Sequence, residues 1–315
     1  MKRVVVLTGG VGGAKLVLGL SHILPQGALT AIVNTGDDFR HLGLHVSPDI
    51  DTLLYTLADK ANAAQGWGRA GESWAFMAAL RELGGPDWFA LGDGDMALHV
   101  LRTHALAQGE SLSQVTARFA ARWGIPIRIL PMSDQPVATM LDTDRGRLEF
   151  QRYFVEQRCE PAVRAIQFDG AAQAHPTPGV VDAILSADAV LIAPSNPFLS
   201  IDPLLAVPGL RSALERTLAP IVAVSPLIGG KAVKGPTAKL MADLAMPVDN
   251  DSIARHYGGL IDAMLIDGDD RCDAPGIAIA RCATLMTSLA DKTRVAQAAL
   301  DLAGAGAGQA TDARA

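Results

Sequence analysis

Several things are scarce in this chain, and each shortage excludes a class of protein. Three cysteines in 315 residues, Cys159, Cys272 and Cys282, are too few and too scattered for a disulfide framework or a thiolate metal site. A reducing cytoplasm is the expected setting. No run approaches about 18 uninterrupted apolar residues, so no membrane partner or span is expected. Met1-Lys2-Arg3 before an apolar run imitates a signal peptide, but glycines break the run early and no cleavage-like site follows. Basic tracts are missing and the formal net charge is −6, which argues against nucleic acid as a partner. Charged residues make up 19% of the chain and hydrophobic ones 49%, so a large core can form and global disorder is excluded.

What is present reads as an α/β fold. Val4–Thr8, Leu29–Asn34, Ile127–Leu130, Ala189–Ala193, Ile221–Ser225 and Met264–Asp267 are short, mostly continuous apolar runs, the pattern of strands covered on both faces. Amphipathic stretches follow several of them: Ala14–Leu24, Pro178–Ala187, Pro203–Thr217 and Thr237–Leu244. That alternation predicts a doubly wound, Rossmann-like, mostly parallel sheet. Asp51 to Trp123 reads as a helical insertion, and Val137–Asp142 with Arg147–Val155 as a β-hairpin around Asp144-Arg145-Gly146. One domain over 1–303 is expected, with the insertion at about 51–123 and a flexible Gly/Ala-rich tail at 304–315.

Chemistry concentrates at the ends of the expected strands. Gly9, Gly10, Gly12 and Gly13 separate the first strand from a helix, a setting in which backbone amides and the helix dipole favour phosphate. The spacing fits neither a Walker A loop nor a dinucleotide fingerprint; the alternative is a tight turn without a ligand. Asn34-Thr35-Gly36-Asp37-Asp38 ends the second strand, and Ser47-Pro48-Asp49-Ile50-Asp51-Thr52 follows. Asp37 with Asp49 or Asp51 beside a phosphate loop suggests Mg²⁺, which takes one or two carboxylates plus phosphate oxygens, and Asp51 is alternatively a catalytic carboxylate that activates a hydroxyl. For each the plainer reading is a solvated turn or a helix-capping carboxylate. Leu91-Gly92-Asp93-Gly94-Asp95 is a third acidic cluster at a helix start, with His99 four residues on from Asp95. Ser195 and Asn196 follow the strand at 189–193. Gly229, Gly230 and Lys231, with Lys234 and Lys239, follow the one at 221–225 and suit donor phosphates. Trp67, Trp74 and Trp88 are expected to be core rather than a ligand platform.

In this order the motifs Thr8-Gly9-Gly10-Val11-Gly12-Gly13, Asn34 to Asp38, Ser47 to Thr52, Leu91-Gly92-Asp93, Leu130-Pro131-Met132-Ser133-Asp134, Ser195-Asn196-Pro197 and Ser225 to Gly230 resemble the 2-phospho-L-lactate transferase family of deazaflavin coenzyme F(420) biosynthesis. The likeness spans roughly residues 1 to 300. It implies transfer of a phospholactyl-type group (phospholactate, phosphoenolpyruvate or phosphoglycerate) from a guanosine diphosphate-linked donor to the ribityl hydroxyl of the deazaflavin precursor, releasing GMP. It also implies Mg²⁺ and a homodimer. Asp51 and Ala90 match family positions that contact the deazaflavin. Glu72-Ser73 departs from a common Asp-Thr, and Ala283-Thr284-Leu285-Met286 lacks a frequent leading aspartate. The rival reading is a nucleotide-sugar-binding regulatory protein of the same fold. Those proteins usually continue Asp-Asp-Gly-Gly-Ser-Ser where this chain has Asp37-Asp38-Phe39-Arg40-His41.

Overall fold

Seven short aliphatic runs assemble into one sheet in the computed structural model, which describes residues 3–232 and 235–306. They are β1 (Val4–Thr8), β2 (Leu29–Val33), β3 (Arg128–Pro131), β4 (Ala189–Ile192), β5 (Ile221–Val224), β6 (Ala263–Asp267) and β7 (Ala278–Cys282). Their spatial order is β7-β6-β5-β4-β1-β2-β3, and every neighbouring pair is parallel. The expected doubly wound α/β architecture is present. The chain builds outward from β1 to β3, then returns to β4 on the other side of β1. That reversal is a topological switch point, and the crevice beyond the carboxyl ends of β1 and β4 is where such sheets bind ligands.

Period-two alternation divides the strands between two apolar layers. Val5 and Leu7 face one layer, Val4 and Val6 the other, and all four are buried. On the second face α1 (Gly10–Ile23) packs against the long final helix Leu289–Gly306. The contact runs backbone to backbone at Gly19, where a Cβ would stand 2.2 Å from the Lys292 carbonyl oxygen.

Several expectations need correction. The glycine run is not a loop ahead of a helix at Ala14; α1 already starts at Gly10. The stretch 203–217 breaks into Asp202–Leu205 and Pro208–Arg216, because Pro208 has no N–H to continue the first helix. The hairpin Ala138–Thr143 with Gly146–Glu149 gains a third strand, Val163–Asp169, and the expected strand end becomes a π-helical turn, Arg152–Glu156. The insertion is mostly helical, but its first helix, α2 (Pro48–Leu57), starts at the proline, and a small hairpin, Phe39–His41 with Leu44–Val46, precedes it. Within the expected tail, residues 304–306 belong to the final helix; residues 307–315 and Lys234 lie outside the described residues.

Candidate functional site

The crevice is lined by the ends of β1, β2 and β4. Ser195, after β4, accepts the Gly9 amide at 3.1 Å and returns its hydroxyl to the Gly9 carbonyl at 2.7 Å. This clasp ties the two strand ends together across the switch point. The glycines permit it. A Cβ on Gly12 would stand 2.6 Å from the Pro194 carbonyl oxygen, and one on Gly13 2.1 Å from Thr8 Oγ1. Gly10 takes a left-handed φ of +65° and donates its amide to Asp49 Oδ1 at 2.6 Å. Part of the expected phosphate cradle is therefore already engaged by protein groups.

Asn34 organises the acidic side. It is fully buried, and its Nδ2 lies 2.9 Å from Asp49 Oδ2 and 3.2 Å from Asp37 Oδ1. Its own Oδ1 accepts the Gly36 amide at 2.8 Å, which fixes the amide orientation. Gln151 Nε2 approaches the second Asp37 oxygen at 3.3 Å from the residue preceding the π-helical turn. Burial, then the neighbouring Asp49 charge, holds the Asp37 carboxyl well above its usual range. Burial likewise pushes Asp49 up to about 6, against the opposing bonds from Asn34 and Gly10. Two sequestered carboxylates sharing one amide form a centre that a cation would relieve.

Orphaned polar atoms surround that centre. Thr8 Oγ1, Thr35 Oγ1 and Asn196 Nδ2 are buried without a partner in the protein. Asn196 spends its Oδ1 on the amides of Phe198 and Leu199, at 3.0 and 3.1 Å, capping the π-helical turn Pro197–Ile201. Unsatisfied buried donors and acceptors at three adjacent strand ends mark a place for a polar ligand.

Asp51 lives elsewhere. It is only two positions after Asp49 on α2, so its carboxylate leaves on a different face. It forms a bidentate ion pair with the fully buried Arg102 of Asp93–Ala107. Burial opposes the Arg102 charge, but Asp51 outweighs it and raises the guanidinium pKa. His99 Nδ1 lies 3.7 Å from Asp51, and its Nε2 3.2 Å from Asp95 Oδ2. Tyr55 donates to the other Asp95 oxygen. Asp38 accepts Ser47 Oγ at 2.7 Å and lies 3.1 Å from His45 Nε2, pinning the start of α2.

The remaining candidates are distributed. Ala90 lines a recess with Trp67, Trp74 and Asp95. Through Asp95 and His99 that recess is contiguous with Asp51. Trp67 and Trp74 are 50% and 41% exposed, contrary to the expectation of core residues, while Trp88 packs with Phe39, His41 and Phe89. Gly229 and Gly230 are left-handed and form the two-residue turn of a hairpin that exposes Lys231. Lys239 is engaged by Asp243 and the Pro161 carbonyl. Asp93 caps Ala75–Glu82 through the amides of Ala75 and Phe76, while Glu72 accepts the Gly94 amide at the start of its own helix. The Glu72-Ser73 departure thus sits in a reciprocal cap, with Ser73 Oγ on Asp93.

Sequence reading passed over Asn34, Gln151, His99 and Arg102 as site residues. Asn34 had a signal, lying inside a strand-end motif. Arg102 had another: it shares the buried face of its helix with Leu98 and Ala105, where an unpaired cation could not remain.

Among the described residues no three acidic, histidine or cysteine side chains converge into a preformed cation cage. Mg²⁺ does not require one, since it binds through one or two carboxylates together with phosphate oxygens and water. The hard oxygens and mutual repulsion of Asp37 and Asp49 fit such an ion.

Fold and site together define an open, doubly wound α/β protein with a buried acidic centre beside unpartnered polar groups at its switch point. Its fold matches that of a UPF0052 family member from Bacillus halodurans, with a TM-score of 0.65 at 19% identity, covering 95% of this chain and 100% of the other. The chain is 43% identical to a phosphoenolpyruvate transferase of Kitasatospora aureofaciens, covering 96% of this chain and 98% of the relative. It is 39% identical to a protein of the same name from Nocardia farcinica, covering 96% and 95%. The family model for the 2-phospho-L-lactate transferase CofD matches residues 4–299, and the chain belongs to that family. It is a transferase of F(420) biosynthesis. No helix among the described residues is long and apolar enough to cross a membrane.

Proposed function

We propose that the protein moves a phosphoenolpyruvyl- or phospholactyl-type group from a guanosine diphosphate-linked donor to the ribityl hydroxyl of a deazaflavin precursor, releasing GMP. We place it in the cytoplasm as a Mg²⁺-dependent homodimer. The observation that carries the reading is the Asp37–Asn34–Asp49 centre beside unpartnered polar groups at the switch point. The name shared by relatives at 39% to 43% identity supports it.

In this reading the two aspartates of α2 have separate tasks. Asp49, with Asp37, holds the metal. Asp51, fixed by Arg102, receives the acceptor hydroxyl. Bound there, Mg²⁺ would neutralise charge on the donor diphosphate and on the leaving GMP. Asn196 Nδ2, the Thr8 hydroxyl and the N-terminal end of α1 hold donor oxygens, and Lys231 on the glycine hairpin adds a positive charge. Asn34 and Gln151 keep both Asp37 oxygens aimed. Arg102 holds Asp51 in one rotamer through the bidentate pair, so the incoming hydroxyl meets a fixed acceptor. Little covalent chemistry is asked of the chain; positioning and charge compensation dominate.

Calorimetry separates this reading from a regulatory nucleotide-sugar binder. Guanine nucleotide with Mg²⁺ should bind and raise the melting point, corresponding to about 2.7 kcal/mol at a hundredfold excess over Kd. Binding of UDP-sugars without guanine nucleotides would give the site to the regulatory class.

A further inference from the structure

Two of the four tryptophans stand at the surface on one recess. The chain is only 5% aromatic, and most other rings pack on one another: Phe39, His41, Trp88 and Phe89 meet edge to face or tilted, Tyr55 lies against Trp123, and the half-exposed Phe154 already stacks on Phe150. Trp67 and Trp74 keep large faces in water. Their backbones are nonetheless held. The turn carrying Trp67 is closed by Asn62 N–H to the Gly68 carbonyl at 3.0 Å and Ala70 N–H to the Lys60 carbonyl at 2.7 Å. Trp74 immediately precedes a helix whose first amides are capped by Asp93.

The recess between the indoles has room for little more than a water, about 10 Å³, so a ligand would lie across its mouth. Ala90 adds a small, flat wall. Arg69 and Glu72, paired at 2.9 Å, and Asp95 supply polar groups of both signs at the edge. Asp95 is 3.2 Å from His99, which is 3.7 Å from Asp51. A ring resting on the indoles would therefore lie one side-chain relay from the carboxylate assigned to the acceptor hydroxyl.

We propose that Trp67 and Trp74 form an aromatic platform that binds the planar ring system of the acceptor by stacking, with Asp95 and the Arg69–Glu72 pair meeting its polar edge. This inference rests on the transferase reading for the identity of the acceptor. The platform sets acceptor affinity and takes no part in bond making. Stacking on an aromatic side chain tolerates differences in ring substituents, so the platform selects a flat tricycle and leaves positioning of the hydroxyl to Asp51.

The test uses the full chain and two readouts. Riboflavin, a tricyclic ring bearing a ribityl arm, is titrated calorimetrically into the wild type and into Trp67→Ala, Trp74→Ala and the double variant. In parallel, acceptor and donor KM are measured with the deazaflavin precursor. Each alanine should weaken riboflavin binding and raise acceptor KM about tenfold, with kcat and donor KM little changed. Trp67→Phe and Trp74→Phe should recover most of the loss. The platform is overturned if the wild type binds neither riboflavin nor the deazaflavin, or if the double variant keeps wild-type affinity for both. It is also overturned if the double variant changes only the sedimentation of the protein, which would make the patch a self-association surface. Failure of the wild type to transfer at all would remove the transferase reading, while the riboflavin titration still decides the platform.

Discussion

Arg102 and Asp51 form a bidentate ion pair with both side chains almost sealed from solvent. The pair divides the two aspartates of α2, leaving Asp49 to Asn34 and Asp37 while Asp51 belongs to a separate network with His99 and Asp95. The same pair makes the site expensive to disturb. Replacing Arg102 with methionine strands a buried carboxylate, and breaking such a pair costs about 3–5 kcal/mol. The expected outcome is a large fall in the urea midpoint for Arg102→Met, with substantial recovery in Arg102→Met/Asp51→Leu. If the double variant is no more stable than the single one, the stranded charge is not the cause.

The glycine run supplies a steric prediction. A Cβ at Gly12 would press on the Pro194 carbonyl, a backbone atom that cannot rotate away. Gly12→Ala should lose about 1–3 kcal/mol in chemical denaturation, the cost of overpacking a well-filled site. Gly10→Ala meets open space, its nearest neighbour being Asp49 Oδ1 at 4.0 Å, but adopts φ +65°. Its loss should be about 1–2 kcal/mol, from left-handed backbone strain alone. An unchanged midpoint in Gly12→Ala would mean that the segment after β4 yields, and the Ser195 clasp would then be looser than its distances show.

The raised Asp49 carboxyl predicts a pH dependence. A carboxyl whose folded pKa lies above its unfolded value stabilises the fold at low pH, and that contribution is lost as pH rises through the folded pKa. For Asp49 the window runs from about 4, the unfolded value, to about 6. In EDTA, wild-type stability relative to Asp49→Asn should therefore fall across this window, by on the order of 3 kcal/mol. Thermal melts of both proteins between pH 4 and 7 measure it. Added Mg²⁺ should restore wild-type stability at pH 7 and leave Asp49→Asn unmoved. Parallel pH curves for the two proteins would show that Asp49 ionises without penalty.

Much of the fold was legible because its strands are continuous aliphatic runs. Six were placed to within a residue or so at each end, for instance Ala189–Ile192 and Ile221–Val224. The seventh, Ala278–Cys282, escaped because it is an edge strand only partly buried, and its arginine breaks the apolar pattern. The start of α1 was misplaced since glycine disfavours helix, yet here tight contact with Pro194 and Ser195 demands it. In the candidate site, local motifs held Asp37, Asp49 and Asp51 and their near partners Asn34 and Gly10, but not the distant ones. Arg102 lies 51 positions from Asp51, and Gln151 114 positions from Asp37. Nothing local encodes such pairings. They also change an expectation: read as a helix-start carboxylate, Asp51 tolerates asparagine, whereas opposite a buried arginine Asp51→Asn leaves an unpaired guanidinium and should lower the melting point.

The central claim is that Asp37 and Asp49 serve a metal-assisted group transfer at the switch point. The most direct measurement is mass-resolved product analysis. Wild type and Asp37→Asn are incubated with the deazaflavin precursor, a guanosine diphosphate-linked phosphoenolpyruvyl donor and Mg²⁺. The wild type should yield the phosphoenolpyruvyl-deazaflavin adduct and GMP in equal amounts. Its turnover should vanish in EDTA and fall at least about a hundredfold in Asp37→Asn. Equal turnover by wild type and Asp37→Asn, undiminished by EDTA, would contradict the account.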